Sequence, residues 1–282
     1  MAKWGLVSLA LAGQVIACAI TCECRAAPIQ LATNVLLYGK IRSPAITESS
    51  GLIASRQYPG VIWTHNDSDE YLVAMTRKGI TLGQYLVYGI HMADWEDISI
   101  DGLGNLYLAD IGDNHKTNRN TLVIYQAREP NPYLSGTITT TRRYYVSFPG
   151  QPQDCEGFFI LKGYGYIVSK VPTSEGRVTV YRFPMGVKSS VMQVVTEVTV
   201  GQYSVTAACL SRDKNRLAIL TRAGPACFVI NGDVTQLATV VPTFTQWVDT
   251  WMEGACFAGN GLLVSTEKRN LYLFTEPIFQ SW

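Results

Sequence analysis

The sequence is poor in charged residues. Only 16% of its 282 residues are Asp, Glu, Lys or Arg, and the formal net charge is +1. A nearly neutral chain lacks the extended basic surface that nucleic acid requires, so we expect no nucleic-acid partner. Because acidic side chains are few, any position at which they gather is informative.

Several motifs of enzymes and metal sites are also missing. The chain has no phosphate-binding Walker loop, no GxSxG nucleophile turn and no HExxH zinc motif. Cys155, Cys209, Cys227 and Cys256 show no CxxC spacing, which disfavours a zinc site. Cys209 and Cys256 take equivalent positions in neighbouring repeats, so they are either two buried thiols or a disulfide pair.

The beginning of the chain differs in composition from the rest. An apolar run over residues 4–20 follows Lys3, and small residues follow near Ala26, which predicts a secretory leader over residues 1–27. The four residues that end at Cys18 resemble a bacterial lipobox, so a lipid anchor at Cys18 is an alternative, and an uncleaved anchor is a third. We therefore expect a secreted, periplasmic or extracellular protein, or a membrane-tethered lipoprotein.

A hairpin unit recurs along the chain, and the stretch Asp94–Asn114 shows it best. Each copy has a polar leading residue, an apolar strand, a turn and a second apolar strand. The leading residues follow one another at intervals of roughly fifty residues: Ser50, Glu96, Glu156, Thr206 and Glu253. This period predicts an all-β fold, a five-bladed β-propeller of four-stranded antiparallel blades, formed as one monomeric domain by residues 28–282.

The ends of the chain are expected to meet. The fifth repeat supplies only three strands, and residues 34–41 form an isolated apolar strand near the N-terminus. We expect this strand to close the ring as the missing fourth strand, because closure removes free sheet edges. In the fourth repeat, the segment LATVV at residues 237–241 is expected to be the outer strand.

In each hairpin, the residue at the same distance from the turn centre as the leading residue, but on the second strand, is polar. We expect these partners at the same rim of the ring as the leading residues. The partners are His65, Asp110, Lys170, Arg222 and Glu267. His91 and His115 fall on the same side of the predicted ring. We therefore expect this rim to be the functional face.

Five equivalent positions in a closed ring aim at one axial point. Three carboxylates there cannot all stay ionised without a cation, because repulsion and burial raise their pKa values. Calcium suits such a set best, since it accepts about six to eight oxygen ligands. Inner-strand acids that only hydrogen-bond neighbouring blades around a water-filled channel are the alternative, and a bound ion could be purely structural.

The cadence of ESSGLI, DWEDIS, DCEGFF, TAACLS and MEGACF resembles the calcium-activated nucleotidases, or secreted calcium-dependent apyrases. This resemblance implies a five-bladed propeller with an axial calcium ion held by the five leading residues, and hydrolysis of nucleoside di- and triphosphates at the same mouth. Asp67, Lys170 and Arg222 match strand-end residues of that family, whereas Thr206 replaces a serine and the insertions around the nucleotide pocket are missing. The HNDS, WED and DIGDN segments also resemble uncharacterised secreted bacterial propellers.

The rim residues divide into two expected roles. Acids and a histidine would orient or deprotonate a water molecule: His65, Asp67, Asp110 and Asp113. Other residues would bind a small anionic substrate: Lys170, Arg222, His115 and Glu267. We predict a secreted calcium-dependent hydrolase of a phosphate ester or anhydride. Alternatives are a lactone- or sugar-acid-acting hydrolase like the gluconolactonase group, a uronate lyase using His65 or His115, and a binding propeller with structural calcium.

Overall fold

The computed structural model describes residues 27–247 and 251–275. These residues form 22 β-strands and one short 3-10 helix. The first strands along the chain are β1 (Ile29–Ala32), β2 (Val35–Lys40), β3 (Gly51–Ala54), β4 (Val61–His65), β5 (Tyr71–Thr76), β6 (Thr81–Tyr88), β7 (Trp95–Ile100), β8 (Asn105–Asp110), β9 (Thr121–Arg128) and β10 (Gly136–Ser147). The expected leader spans residues 1–27, and its residues 1–26, which include Cys18 and Ala26, lie outside the described residues.

The second half of the chain continues the same pattern. Its strands are β11 (Cys155–Leu161), β12 (Tyr164–Ser169), β13 (Arg177–Pro184), β14 (Ser189–Val191), β15 (Gln193–Thr199), β16 (Val205–Leu210), β17 (Arg216–Thr221), β18 (Gly224–Val229), β19 (Thr243–Phe244), β20 (Met252–Ala258), β21 (Gly261–Thr266) and β22 (Asn270–Thr275). The 3-10 helix spans Val234–Ala238. No described helix has the length and apolar character that a membrane crossing needs.

Hydrogen bonding groups the strands into five antiparallel four-stranded units. From the inside outwards their orders are β3-β4-β5-β6, β7-β8-β9-β10, β11-β12-β13-β15, β16-β17-β18-β19 and β20-β21-β22-β2. β1 adds a fifth strand to the last unit, and β14 pairs with the edge of β10. The residues 136–139 of β10 also pair in parallel with β6, which joins the outer edges of the first two units.

The innermost strands form a closed ring. β3 contacts β7, β7 contacts β11, β11 contacts β16, β16 contacts β20, and β20 returns to β3. β2, from the N-terminal end, pairs antiparallel with β22 and completes the last unit. The expected all-β propeller of antiparallel blades and its closure by the N-terminal strand are therefore confirmed.

The sequence of the strands explains why the units stack. The second strands β4, β8 and β17 are rich in Val, Ile, Leu and aromatic residues and are buried on both faces, because each sheet packs between two others. Large buried side chains fill the spaces between units, including Trp63, Trp95, Phe158, Phe228 and Phe274. This packing holds the starts of the five inner strands around one axis.

One expected strand is wrong. The segment LATVV does not form the outer strand of the fourth unit; its first residues end the 3-10 helix, and the outer strand is the short β19. The Asp233 carboxylate accepts a hydrogen bond from the N–H of Thr235 at 3.0 Å, which starts the helix. Val234 and Leu237, three residues apart, are both buried, so the apolar spacing serves a helical turn.

All four cysteines of the described chain are free and buried: Cys155, Cys209, Cys227 and Cys256. Cys209 and Cys256 are therefore thiols in this structure. Burial raises the pKa of the Cys256 thiol to about 12, which keeps it protonated and unreactive. These residues pack as small apolar side chains.

Candidate metal centre at the axial mouth

Four inner strands begin with the same backbone irregularity. In each, the pairing with the second strand skips one residue, which is a β-bulge. The skipped residues are Glu96, Glu156, Thr206 and Glu253. In the first unit, Ser50 directly precedes β3 and its N–H donates to the carbonyl of His65 at 3.0 Å. A bulge re-aims the extra side chain, so the five equivalent positions of the sequence share one structural location.

Four of these five side chains, those of Ser50, Glu96, Glu156 and Glu253, line a cavity of about 150 Å³ at one mouth of the ring. All five units contribute lining residues, although none comes from the inner strand of the fourth unit: Glu48, Ser49, Ser50, Asp67, Glu96, Asn114, Glu156, Lys170, Arg222, Glu253 and Glu267. Thr206 lies just outside this set. Its side chain is buried, and its Oγ1 atom has no hydrogen-bond partner among the described residues.

The inner carboxyl groups of the cavity are held in a setting that disfavours their charge. Burial raises the pKa of Glu253 to about 8 and that of Glu156 to about 7. Burial, with Glu156 and Asp94 as neighbours, also raises the pKa of Glu96 well above its usual value. These groups therefore compete for protons unless a positive charge lies between them.

Lys170 supplies one such charge from the end of β12. Its Nζ atom contacts the Oε1 atom of Glu156, lies 3.3 Å from the Oδ2 atom of Asp154 and donates to the Oδ1 atom of Asn114 at 2.9 Å. Burial alone would lower the pKa of Lys170, but Glu156 raises it overall. One ammonium group compensates only part of the acidic set, because Glu96 and Glu253 form no ion pair within the described chain.

A second acidic cluster adjoins the first on the side of the second and third units. Carboxylate oxygens of Asp94, Glu96 and Asp154 lie within 4.8 Å of one another, so this cluster could hold a metal ion. Asn114 orients two of these acids, donating from its Nδ2 atom to Asp94 at 3.0 Å and to Glu96 at 3.2 Å. A side chain at Gly112 would overlap the same two carboxylates, so the backbone leaves room for them.

Asp110 and Asp113 lie outside the lining of the cavity. The Oδ1 atom of Asp110 accepts from the N–H of Asp94 at 2.8 Å and pairs with Arg119 at 3.0 Å. The Asp113 carboxylate accepts from the N–H of Thr117 at 2.8 Å, within its own loop. Both acids hold the loop that carries Asn114, and neither faces the cavity.

The two histidines with expected roles are also separated from the cavity lining. His65 is fully buried, and its ring stacks on Trp95 with a centroid distance of 3.7 Å and an angle of 5°. Its Nδ1 atom donates to the carbonyl of Asn66 at 2.9 Å, and burial lowers its pKa to about 3. His65 is therefore a neutral ring in the core. His115 is exposed, one residue beyond Asn114.

The remaining expected residues do line the cavity. Arg222 lies over the ring of Trp251 at 4.1 Å, and its buried Nε atom has no hydrogen-bond partner among the described residues. Asp67 lies just beyond the end of β4. Burial, and then Glu48, raises the pKa of Glu267. The mouth thus combines an acidic set that could hold a metal ion with a guanidinium that can receive an anion.

Sequence reasoning missed Asp94, Asp154 and Asn114 as members of this site. A signal was present, because Asp94 and Asp154 each stand two residues before a leading glutamate, in the matching pairs DWE and DCE. The main chain explains the match: the carbonyls of Asp94 and Asp154 accept equivalent hydrogen bonds from the ends of β8 and β12, at 3.2 Å and 2.9 Å.

Comparison with known proteins identifies the fold alone. No family model and no curated protein matches the chain. A luciferin-regenerating enzyme is similar in structure with a TM-score of 0.54 and 11% identity, covering 89% of this chain and 96% of that one. A chain of a nidogen–laminin complex matches with a TM-score of 0.46 and 11% identity, over 77% and 72% of the two chains. The similarity to the luciferin-regenerating enzyme supports a β-propeller fold.

Proposed function

We propose that the protein binds a hard divalent cation, calcium best of all, at the axial mouth and hydrolyses phosphate esters or anhydrides there. The observation that carries this proposal is the convergence of four of the five equivalent side chains, three of them re-aimed by bulges, on one small acidic cavity, with the buried Thr206 just outside its lining. Such a set is costly to bury without a cation that takes oxygen ligands.

The donor atoms fit a hard cation. Glu96, Glu156 and Glu253 offer carboxylate oxygens, and Thr206 offers a buried hydroxyl oxygen that has no other partner among the described residues. The Ser50 hydroxyl donates to the Glu96 carbonyl at 3.0 Å, so its own oxygen stays available as a ligand. The absence of His and Cys from these five positions disfavours zinc and favours calcium.

The size of the cavity limits what a substrate can place inside it. A volume of about 150 Å³ holds an ion with a few waters or one phosphate group, whereas a whole nucleotide is larger. We therefore propose that the phosphate enters and the rest of the substrate stays at the rim. When bound, the cation would neutralise the carboxylates and polarise a phosphate oxygen.

The chain's own residues would complete the site. Arg222, whose Nε atom lacks a partner among the described residues, would bind the phosphate through its guanidinium. Asp67 lies at the rim of the same cavity and would accept a proton from an attacking water. Lys170 would hold Glu156 and Asp154 in place.

A non-catalytic cation-binding propeller is the second candidate. The small volume of the acidic cavity favours it, because a structural ion needs no room for a substrate. In that case the cation would stabilise the ring by joining side chains of several units. Binding and turnover must therefore be measured separately.

The cation is tested by equilibrium dialysis with calcium, metal analysis and melting temperature. We expect one tightly bound calcium per chain and a higher melting temperature, with Glu253→Gln weakening binding by at least about tenfold. Glu197→Gln is the matched control, since Glu197 lies on the outer strand β15 and pairs there with Arg177 at 3.4 Å. A wild type that binds no calcium would contradict the proposed cation site.

Turnover is tested with ADP, UDP and phenyl phosphate, with lactones and unsaturated uronates as the competing substrates. We expect calcium-dependent phosphate release that Asp67→Asn abolishes while calcium binding is retained. Phosphate release that persists in chelator would contradict the proposed role of the cation. Calcium binding with no turnover of any substrate would identify the binding propeller.

We also propose export of the protein. The support is the apolar run after Lys3 with small residues around Ala26. The intact mass of the protein recovered from expressing cells separates cleavage near Ala26 from a lipid-modified Cys18. A full-length chain in the cytoplasm would contradict both.

A further inference from the structure

The opposite mouth of the ring is built from the hairpin turns that join the first and second strands of each unit. Two cavities open there. One, of about 710 Å³, lies between the turns of the first, fourth and fifth units. The other, of about 350 Å³, lies between the turns of the first four units. The two cavities share Arg56, Ser211 and Arg212.

Basic side chains dominate this mouth. The cavities are lined by Arg56, Arg77, Lys162, Arg212, Lys214 and Arg216. Only two acids, Asp101 and Asp213, line them as well. The mouth is therefore positively charged, in contrast to the acidic mouth at the other end.

Both acids are already engaged within their own turns. The Asp101 carboxylate accepts from the Nδ2 atom of Asn105 at 2.7 Å and from the hydroxyl of Tyr107 at 3.0 Å. The Asp213 carboxylate accepts from the Ser211 hydroxyl at 2.5 Å and from the N–H of Asn215 at 3.1 Å. These hydrogen bonds shape the turns, and neither acid forms an ion pair within 4 Å with Arg56 or Arg212.

Arg56 and Arg212 carry the argument. Within residues 27–247 and 251–275, neither has an ion pair within 4 Å. Arg56 is half-buried, and burial, followed by the charge of Arg212, lowers its pKa. Two like charges held together in a partly desolvated cavity are stabilised by an anion between them.

The walls of the larger cavity suit an organic ligand. Pro59, Phe257 and Ala258 give it an apolar side, and the arginines lie around that side. Its volume falls within the range of about 300 to 1,000 Å³ that is usual for small-molecule sites. A guanidinium can bind the oxygens of a phosphate with two parallel hydrogen bonds.

We propose that this basic mouth binds a phosphate-bearing small organic molecule, with Arg56 and Arg212 on the phosphate and the Phe257 side against the organic part. The site lies at the other end of the inner strands from the acidic cavity and shares no lining residue with it. Its occupancy does not depend on a cation or on hydrolysis at the acidic mouth.

The test is calorimetric titration with phenyl phosphate at low ionic strength in the presence of EGTA, which removes calcium from the acidic mouth. We expect one phenyl phosphate per chain and binding weakened about tenfold or more by Arg212→Gln, whose exposed position keeps the fold intact. Arg56→Gln should have the same effect. Arg182→Gln, on the third strand β13 of the third unit, is the matched control and should bind normally.

Four results would overturn the proposal. The first is no binding of phenyl phosphate, and the second is binding that survives both Arg56→Gln and Arg212→Gln. The third is tighter binding of heparin than of phenyl phosphate, which would make the mouth a polyanion surface. Phenyl phosphate binding that is lost in Arg222→Gln alone would place the anion at the acidic mouth, so failure here is separate from failure of the proposed hydrolase.

Discussion

The two mouths of this ring are made by the same five inner strands, yet they differ in charge and in how their residues are held. At one mouth, bulged strand starts aim buried carboxylates at the axis. At the other, hairpin turns carry arginines and lysines, several of them exposed. The acidic mouth is thus narrow and presents mostly buried side chains, whereas the basic mouth is wider and presents several exposed ones.

Asp97 lies between the two mouths and is buried. Its Oδ2 atom accepts from the N–H of Phe158 at 2.8 Å and from the N–H of Ala208 at 3.1 Å, in the next two units. Its Oδ1 atom accepts from the N–H of Ile98 at 2.8 Å. Inner strands have a free edge toward the axis, and this one carboxylate satisfies donors on three of them.

The largest expected effect comes from removing that link. Asp97→Ala leaves the N–H groups of Phe158 and Ala208 buried without an acceptor, which should lower the free energy of unfolding by about 3 to 5 kcal/mol. Denaturant unfolding measures the change, and Glu197→Ala, at an exposed position of the outer strand β15, is the control. A loss as small as that of Glu197→Ala would show that the hydrogen bonds of Asp97 between the units add little to stability.

The pH dependence of the free energy of unfolding should report on the buried carboxyl groups of the acidic mouth. Burial raises the pKa of Glu253 to about 8 and that of Glu156 to about 7, against about 4.3 in an unfolded chain. The folded protein therefore holds more protons between about pH 5 and 8, and its stability falls as the pH rises through that window. The expected loss in chelator is on the order of a few kcal/mol.

Calcium should flatten this dependence, because a bound cation replaces the protons. Unfolding in urea at several pH values, with EGTA or with calcium, measures both curves. Glu253→Gln should reduce the slope in EGTA, whereas Glu197→Gln should leave it unchanged. Stability in EGTA that rises from pH 5 to 8 would contradict the buried, cation-requiring acidic set.

A smaller effect is expected at Gly112. Gly112→Ala would press a methyl group against the carboxylates of Asp94 and Glu96, so it should weaken calcium binding about tenfold and cost about 1 to 3 kcal/mol. Gly186→Ala is the matched control, because a side chain there meets nothing within 4 Å. Calorimetry with calcium compares the two, and equal affinities would show that these carboxylates do not hold the ion.

The repeat positions of the acidic mouth could be predicted because the same hairpin pattern recurs along the sequence at a regular interval. Each leading residue and its partner follow from the turn centre, and the bulges shift the register by only one residue. Asp97 could not be predicted, since a polar residue inside a strand looks like a solvent-facing position. Its role depends on two other units brought close by ring closure.

The basic mouth could not be predicted from the sequence, for a different reason. Arg56, Arg212 and Lys162 stand in ordinary turns, where a charged residue normally points into solvent. Only the ring brings these turns together. The outer strand of the fourth unit was misplaced because Asp233 starts a 3-10 helix that the apolar run alone does not reveal.

The smallest effect is expected at His115, an exposed residue of the loop at the acidic mouth. A change at this position tests whether the loop matters apart from the buried carboxylates. His115→Ala removes an exposed side chain, so the free energy of unfolding and the calcium affinity should change by less than about 0.5 kcal/mol. If the loop contacts substrate, the KM for phosphate release rises several-fold while kcat is kept. Asn114→Ala is the contrasting variant, because Asn114 bonds Asp94 and Glu96, and it should weaken calcium binding. Equal losses of calcium affinity in the two variants would mean that the whole loop, not only Asn114, organises the cation site.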